Sequence, residues 1–175
     1  MALHGKEKVG VLLVNTGTPS APELKAVKRY LAQFLMDKHI APMNRFIWWF
    51  ILHFAILPKR SVASAEKYRQ IWTPEGSPLL VTHKALAAAL EARLESEGFD
   101  APVRIAMSYG EPPIKKALRD FCELECDRIV VLPLYPQTAH STTLSVKDGV
   151  ARAVRRAHWK GDTTVVEGYA EHPSY

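Results

Sequence analysis

The sequence predicts an α/β layered domain around a four-stranded parallel sheet, and three observations carry that prediction. Four short runs rich in β-branched residues punctuate the chain: "VGVLLVN" from Val9, "PVRIAM" from Pro102, "RIVVLPL" from Arg128 and "TTVVEGY" from Thr163. They are largely continuous apolar runs, the pattern of strands covered on both faces, as in a parallel sheet. Between them lie segments whose apolar residues recur at helical spacing, and strands alternating with such helices pack in layers. The 175 residues show no repeat and no Gly/Ser-rich linker, so the expectation is one domain.

The elements follow in order. After the first strand, Ser20-Ala-Pro-Glu23 reads as a capping box, and Leu24, Val27, Leu31, Phe34 and Leu35 fall on one helical face behind it. "FIWWFILHFAIL" (46–57) is apolar at every position but His53 and ends at Pro58-Lys59-Arg60. Crossing a bilayer takes about twenty residues, so this segment does not span one. Length and periodicity leave two readings open: a buried core helix, or a lip that meets a membrane surface or lines a pocket for a large flat apolar ligand. Ser77 with Pro78 reads as a helix cap with proline at the first helical position, leading a stripe of Leu79, Leu86, Leu90 and Leu94 that stops at Gly98. Pro112-Pro113 opens a helix with Ile114, Ala117, Leu118, Phe121 and Cys122 inward. Ser141 or Thr142 opens the last, with Val146, Val150, Ala153, Val154 and Ala157 inward.

With 47% hydrophobic and 23% charged residues, the composition is that of a soluble globular protein. The net charge of +5 favours anionic partners such as carboxylates, phosphates or lipid head groups, and it does not call for nucleic acid. Cys122 and Cys126 are spaced to share a helical face and read as buried free thiols, a cluster ligand being the alternative. "MALHGKEKVG" lacks the apolar stretch of a signal peptide, which makes the cytoplasm the expected location.

In open α/β sheets ligands bind beyond the carboxyl ends of the strands, so chemistry belongs in "NTGTPSAP" (15–22), "SYGEPP" (108–113), "YPQTAHSTT" (135–143) and the region after Tyr169. The first is neither a GxGxxG nor a Walker A loop, so nucleotide binding is disfavoured. The third offers Tyr135, Gln137, His140 and a run of hydroxyls. No neighbouring carboxylate orients His140, the nearest acid downstream being Asp148, and a histidine at a helix start is the plain reading. His39, His53, His83, His158 and His172 are similarly isolated, and no HxxxH or HExxH spacing suggests zinc.

Six blocks, "LLVNTGTP" (12–19), "VKRYLAQFL" (27–35), "LPKRSVASAEKYRQIW" (57–72), "GSPLL" (76–80), "MSYGEP" (107–112) and "VLPLYPQ" followed by "STT" (131–143), together resemble the ferrochelatases. These enzymes insert ferrous iron into a porphyrin at the end of haem synthesis, and the similarity is strongest to the proteobacterial type without an iron–sulfur tail. The resemblance implies a pair of Rossmann-like three-layer domains of the class II chelatase fold with the porphyrin between them. Residues 1–175 correspond to the first of the pair. The family's Ser-x-His-Gly/Ser-x-Pro motif and its glutamate, which carry catalysis and the metal site, would lie beyond Tyr175.

The implied activity is a lyase reaction, insertion of Fe2+ into protoporphyrin IX to form protohaem. Ferrous iron is then a substrate, no cofactor is tightly bound, and the isolated chain is expected to be inactive. The resemblance carries substrate contacts onto Thr16, Arg60 (for a propionate), Tyr68, Ser77, Tyr135, Ser141, Thr142 and Thr143, with Phe46, Trp48, Trp49 and Phe50 forming a porphyrin or membrane lip. Peripheral contact with the inner membrane face through residues 46–57 is part of the same expectation. Two departures fall where substrate shape is read: Thr138-Ala139 replaces the aromatic and serine that usually follow "YPQ", and Thr16 replaces Leu, Met or Tyr. Two rivals stand beside this reading: a porphyrin- or haem-binding module without catalysis, and a homodimeric single-domain chelatase that recruits His140 as base.

Overall fold

β1 (Val9–Thr18), β2 (Val103–Gly110), β3 (Arg128–Pro133) and β4 (Asp162–Val165) form one all-parallel sheet in the order β2-β1-β3-β4. The structure, a computed structural model, describes residues 7–173. All four expected strands are present, and β1 continues past Asn15 to Thr18, which puts Thr16 in the strand rather than on a loop. That extension depends on glycine. Gly17 has φ +114°, and a Cβ there would lie 1.8 Å from the Tyr109 carbonyl oxygen; at Gly110, opposite Thr18, φ is +88° and a Cβ would meet the Thr18 oxygen at 2.6 Å.

Alternate residues of the strands enter two cores, as period-two geometry requires. Leu12, Val14, Ile129 and Val131 pack under α5 (Ile114–Glu123) and α6 (Ser145–Ala157), where Leu118, Phe121 and Val146 are fully buried. Leu13 and Val103 pack on the opposite side with Ala87, Leu90 and Leu94 of α4 (Pro78–Ser96). A third core joins α1 (Leu24–Leu35), α3 (Leu57–Ile71) and Tyr109 at the end of β2.

Three helices hand the chain to the next strand in one way. After α4, α5 and α6 a left-handed residue, Gly98, Glu125 or His158, turns the backbone. The next N–H then reaches back five residues: Phe99 to Leu94, Cys126 to Phe121, and Trp159 to Val154. Carbonyls that would be orphaned at the helix end are thereby paired.

Several expectations are corrected. The Ser20–Glu23 capping box does not form, because α1 begins at Leu24 with Glu23 in the cap position and no side-chain cap bond. Pro22 disfavours helical geometry at Ala21 and delays the start. Leu24, at the rim, and Leu86, on the outer face of α4, are exposed; the inward stripe of α4 runs instead through His83, Ala87, Leu90 and Leu94. Cys122 is exposed and only Cys126 is buried, because α5 stops at Glu123 and the turn at Glu125 separates the two thiols. Pro58 does not end its segment: α2 (Arg45–Phe50), a π turn (Ile51–Ile56) and α3 run on continuously. Pro58 has no N–H to offer Phe54, and the wider π turn sits where the regular ladder would break. Finally, neither Ser141 nor Thr142 caps the last helix; a π turn (His140–Leu144) precedes α6.

Candidate functional site

The strand order leaves a topological switch between β1 and β3, since the chain leaves β1 for β2 on one side and returns to β3 on the other. Ligands of open α/β sheets sit at such a point. Here the Thr16 hydroxyl and the Tyr135 phenol meet at 2.6 Å, bridging the two strand ends. Beside them the Thr18 hydroxyl donates to Ser77 Oγ at 2.8 Å, so Ser77 faces β1 although it also occupies the cap position of α4. The Tyr30 phenol donates to the Gly17 carbonyl at 3.1 Å, and its ring meets Tyr68 edge-on at 6.4 Å between centroids. Four of the expected substrate residues, Thr16, Tyr68, Ser77 and Tyr135, are thus gathered around the end of β1.

Burial is the leading reason that the phenols of Tyr30, Tyr68, Tyr109 and Tyr135 all titrate above the usual tyrosine range, with Thr16 partly opposing the rise at Tyr135. They remain protonated through neutral pH. The O–H groups of Tyr30, Thr18 and Tyr109 are given to Gly17, Ser77 and Asp37, so the site presents mainly aromatic faces with protonated phenols, a surface suited to holding a flat ring and not to removing its protons. Among the described residues, no three His, Cys, Asp or Glu side chains converge in a metal-binding group.

The segment 46–57 divides between its two readings. Leu52 and Leu57 are fully buried, and the Trp48 indole N–H donates to the Leu35 carbonyl at 2.7 Å, which turns Trp48 into the core and away from the lip assigned to it. Phe46, Trp49, Phe50 and Phe54 form an exposed aromatic ladder, with Phe46 and Phe54 more than 70% accessible at 73% and 72%. Among the described residues, no helix is long and apolar enough to cross a membrane.

Other assigned residues lie apart from this cluster or make different contacts. Arg60 is exposed near the start of α3, two turns before Tyr68. Ser141 is exposed, Thr142 turns its hydroxyl to the Ala139 carbonyl, and Thr143 is fully buried with its Oγ1 unpartnered. His140 is exposed, and no hydrogen bond or ion pair links its imidazole to another described residue. Asp148, the nearest downstream acid to His140, is engaged by Lys38 at 2.7 Å and His39 at 3.0 Å, and these contacts hold its carboxyl below the usual range. The sequence reading missed Tyr30, Tyr109 and Thr18. Tyr30 was visible as the i+3 neighbour of Val27 on the apolar face of α1; the other two needed the register of β1 against β2.

The ferrochelatase family model matches residues 8–175. The chain belongs to the ferrochelatase family. It is 44% identical over 168 residues to a ferrochelatase of Aeromonas hydrophila subsp. hydrophila, covering 96% of this chain and 52% of that protein. Against the ferrochelatase of Aliivibrio fischeri (strain MJ11) it is 44% identical over 169 residues, 97% and 51% of the two chains. Against that of Yersinia pestis (strain Pestoides F) the identity is 43% over 170 residues, 97% and 52%. The chain spans about half the length of these curated relatives. Its sheet and flanking helices are the ferrochelatase-type α/β domain, from a family of metal chelatases in haem biosynthesis.

Proposed function

We propose that this chain is the N-terminal, porphyrin-binding half of a ferrochelatase that inserts ferrous iron into protoporphyrin IX to give protohaem. The observation that carries the reading is the hydroxyl and phenol cluster at the β1/β3 switch, centred on the Thr16–Tyr135 pair. Metalation requires an apolar slot for the ring, cations for the propionates, and a base for two pyrrole protons. In this reading Tyr68, Tyr135 and the exposed aromatics of 46–54 supply the slot, Arg60 serves an edge propionate, and Ser77, Ser141 and Thr142 line the rim. The phenols, protonated at neutral pH, do not serve as the base. That role falls to the histidine and glutamate of the family's second domain, and the 175-residue chain alone is inactive. Contact of residues 46–57 with a membrane surface fits the same aromatic face.

Porphyrin titration of the chain, read by fluorescence quenching together with zinc or iron insertion, tests this. Micromolar binding without metalation is expected, weakened by Tyr135→Ala. No binding at micromolar porphyrin would sink the proposal. Metalation at an ordinary enzyme's rate would favour a self-sufficient dimeric chelatase, provided His140→Ala abolished it.

A further inference from the structure

Beside the cluster at the end of β1, and sharing Tyr109 with it, a cavity of about 620 Å3 opens between the end of α1, the start of α2, the end of β2 and α6. Three cations line it, Lys38, Arg45 and Arg152, against one carboxylate, Asp37. Asp37 is committed to protein donors. Its Oδ1 accepts the His39 backbone N–H and its Oδ2 the Tyr109 phenol, both at 2.8 Å. Lys38 is balanced in part by Asp148, which also receives His39. The guanidiniums are not balanced: that of Arg45 reaches only the Met36 carbonyl, and that of Arg152 has no ion pair or hydrogen bond among the described residues. Both guanidiniums are solvent-exposed at this cavity, and their planar forks match oxyanions.

Neutral donors add to this. Ser108 lines the cavity with its hydroxyl buried and unpartnered, an arrangement that is unfavourable if nothing satisfies it. Gln33 accepts the Gly110 N–H at 2.9 Å through Oε1, which leaves its amide N–H groups as the free end. The volume amounts to about twenty waters, several times what a bare oxyanion fills.

We propose that this cavity binds a phosphate group carried on a larger organic molecule, with Arg45, Arg152 and the Ser108 hydroxyl as its ligands. The cavity adjoins the Thr16–Tyr135 cluster through Tyr109, but its ligands are other residues and the proposal does not depend on the porphyrin reading. The phosphate can come from a soluble monoester or from a lipid head group, and the test distinguishes them. Calorimetric titration of the chain with glycerol phosphate and with inorganic phosphate forms one arm; co-sedimentation with phosphatidylcholine vesicles, with and without phosphatidic acid, forms the other. Binding in at least one arm is expected, weakened about tenfold by Arg152→Gln and by Ser108→Ala and unchanged by Arg69→Gln on α3. Binding of the soluble ester alone assigns a free ligand, and binding to the acidic vesicles alone assigns a head group. The proposal is overturned by silence in both arms, by wild-type binding in Arg152→Gln and Ser108→Ala, or by porphyrin displacing the phosphate.

Discussion

At the scale of single residues, the Thr16–Tyr135 bond ties the end of β1 to the chain leaving β3. Thr16→Val keeps the volume and strands a half-buried phenol. We expect a loss of about 1–3 kcal/mol in urea unfolding and a further rise in the Tyr135 titration, read by ultraviolet absorbance. An unchanged titration would show that the hydroxyls are not bonded. His83 is a different case: it is 2% exposed on α4, neither ring nitrogen makes a hydrogen bond of ordinary geometry, and burial depresses its pKa, with the nearby Leu13 backbone partly opposing the shift. The unfolded chain takes up this proton near the ordinary histidine value of about 6.5, before the folded one does. Stability from His83 is therefore present above that pH and lost as pH falls through it, and His83→Leu should flatten the decline. Resemblance singled out Tyr135 and Ser77, which the fold brings beside β1, but the His39–Asp148 pair joins residues 109 apart in sequence, beyond the reach of any local pattern.

At the scale of elements, the helical run from Arg45 to Ile71 explains why periodicity left 46–57 undecided. A helix interrupted by a π turn shifts its faces, so residues at one nominal spacing end up on different sides. Two substitutions on that turn should behave oppositely in chemical denaturation. Leu52→Ala, at 0% exposure, costs about 2–5 kcal/mol, whereas Phe54→Ser, at 72%, stays within about 0.5 kcal/mol. Equal losses would mean that the ladder of Phe46, Phe50 and Phe54 is packed and not exposed. β1 was legible as an apolar run only to Asn15, because its last turn of pairing rests on Gly17 and Gly110, whose role depends on a neighbouring strand. Gly17→Ala should lower stability by about 3 kcal/mol or more, since the added carbon meets backbone that cannot swing aside. A near-wild-type midpoint in urea would contradict the close approach of the two strands.

At the scale of the whole molecule, the porphyrin reading predicts where protection from hydrogen exchange should appear. Added porphyrin should slow exchange at 16–18 and 134–138 and leave the distant turns at 98–102 and 158–161 unchanged. Uniform slowing would point to general stiffening and not to a ligand at the switch. The four strands, their parallel arrangement and the helices α1, α4, α5 and α6 were determined by the sequence alone, because burying a sheet on both faces demands continuous apolar runs and amphipathic covers that any local window displays. Which phenols meet at the end of β1, which face of 46–57 is buried, and that Lys38, Arg45 and Arg152 share a cavity were decided only by the tertiary structure. Those facts depend on strand order, register and helix phase, and each of these is set by the fit of parts far apart in the chain.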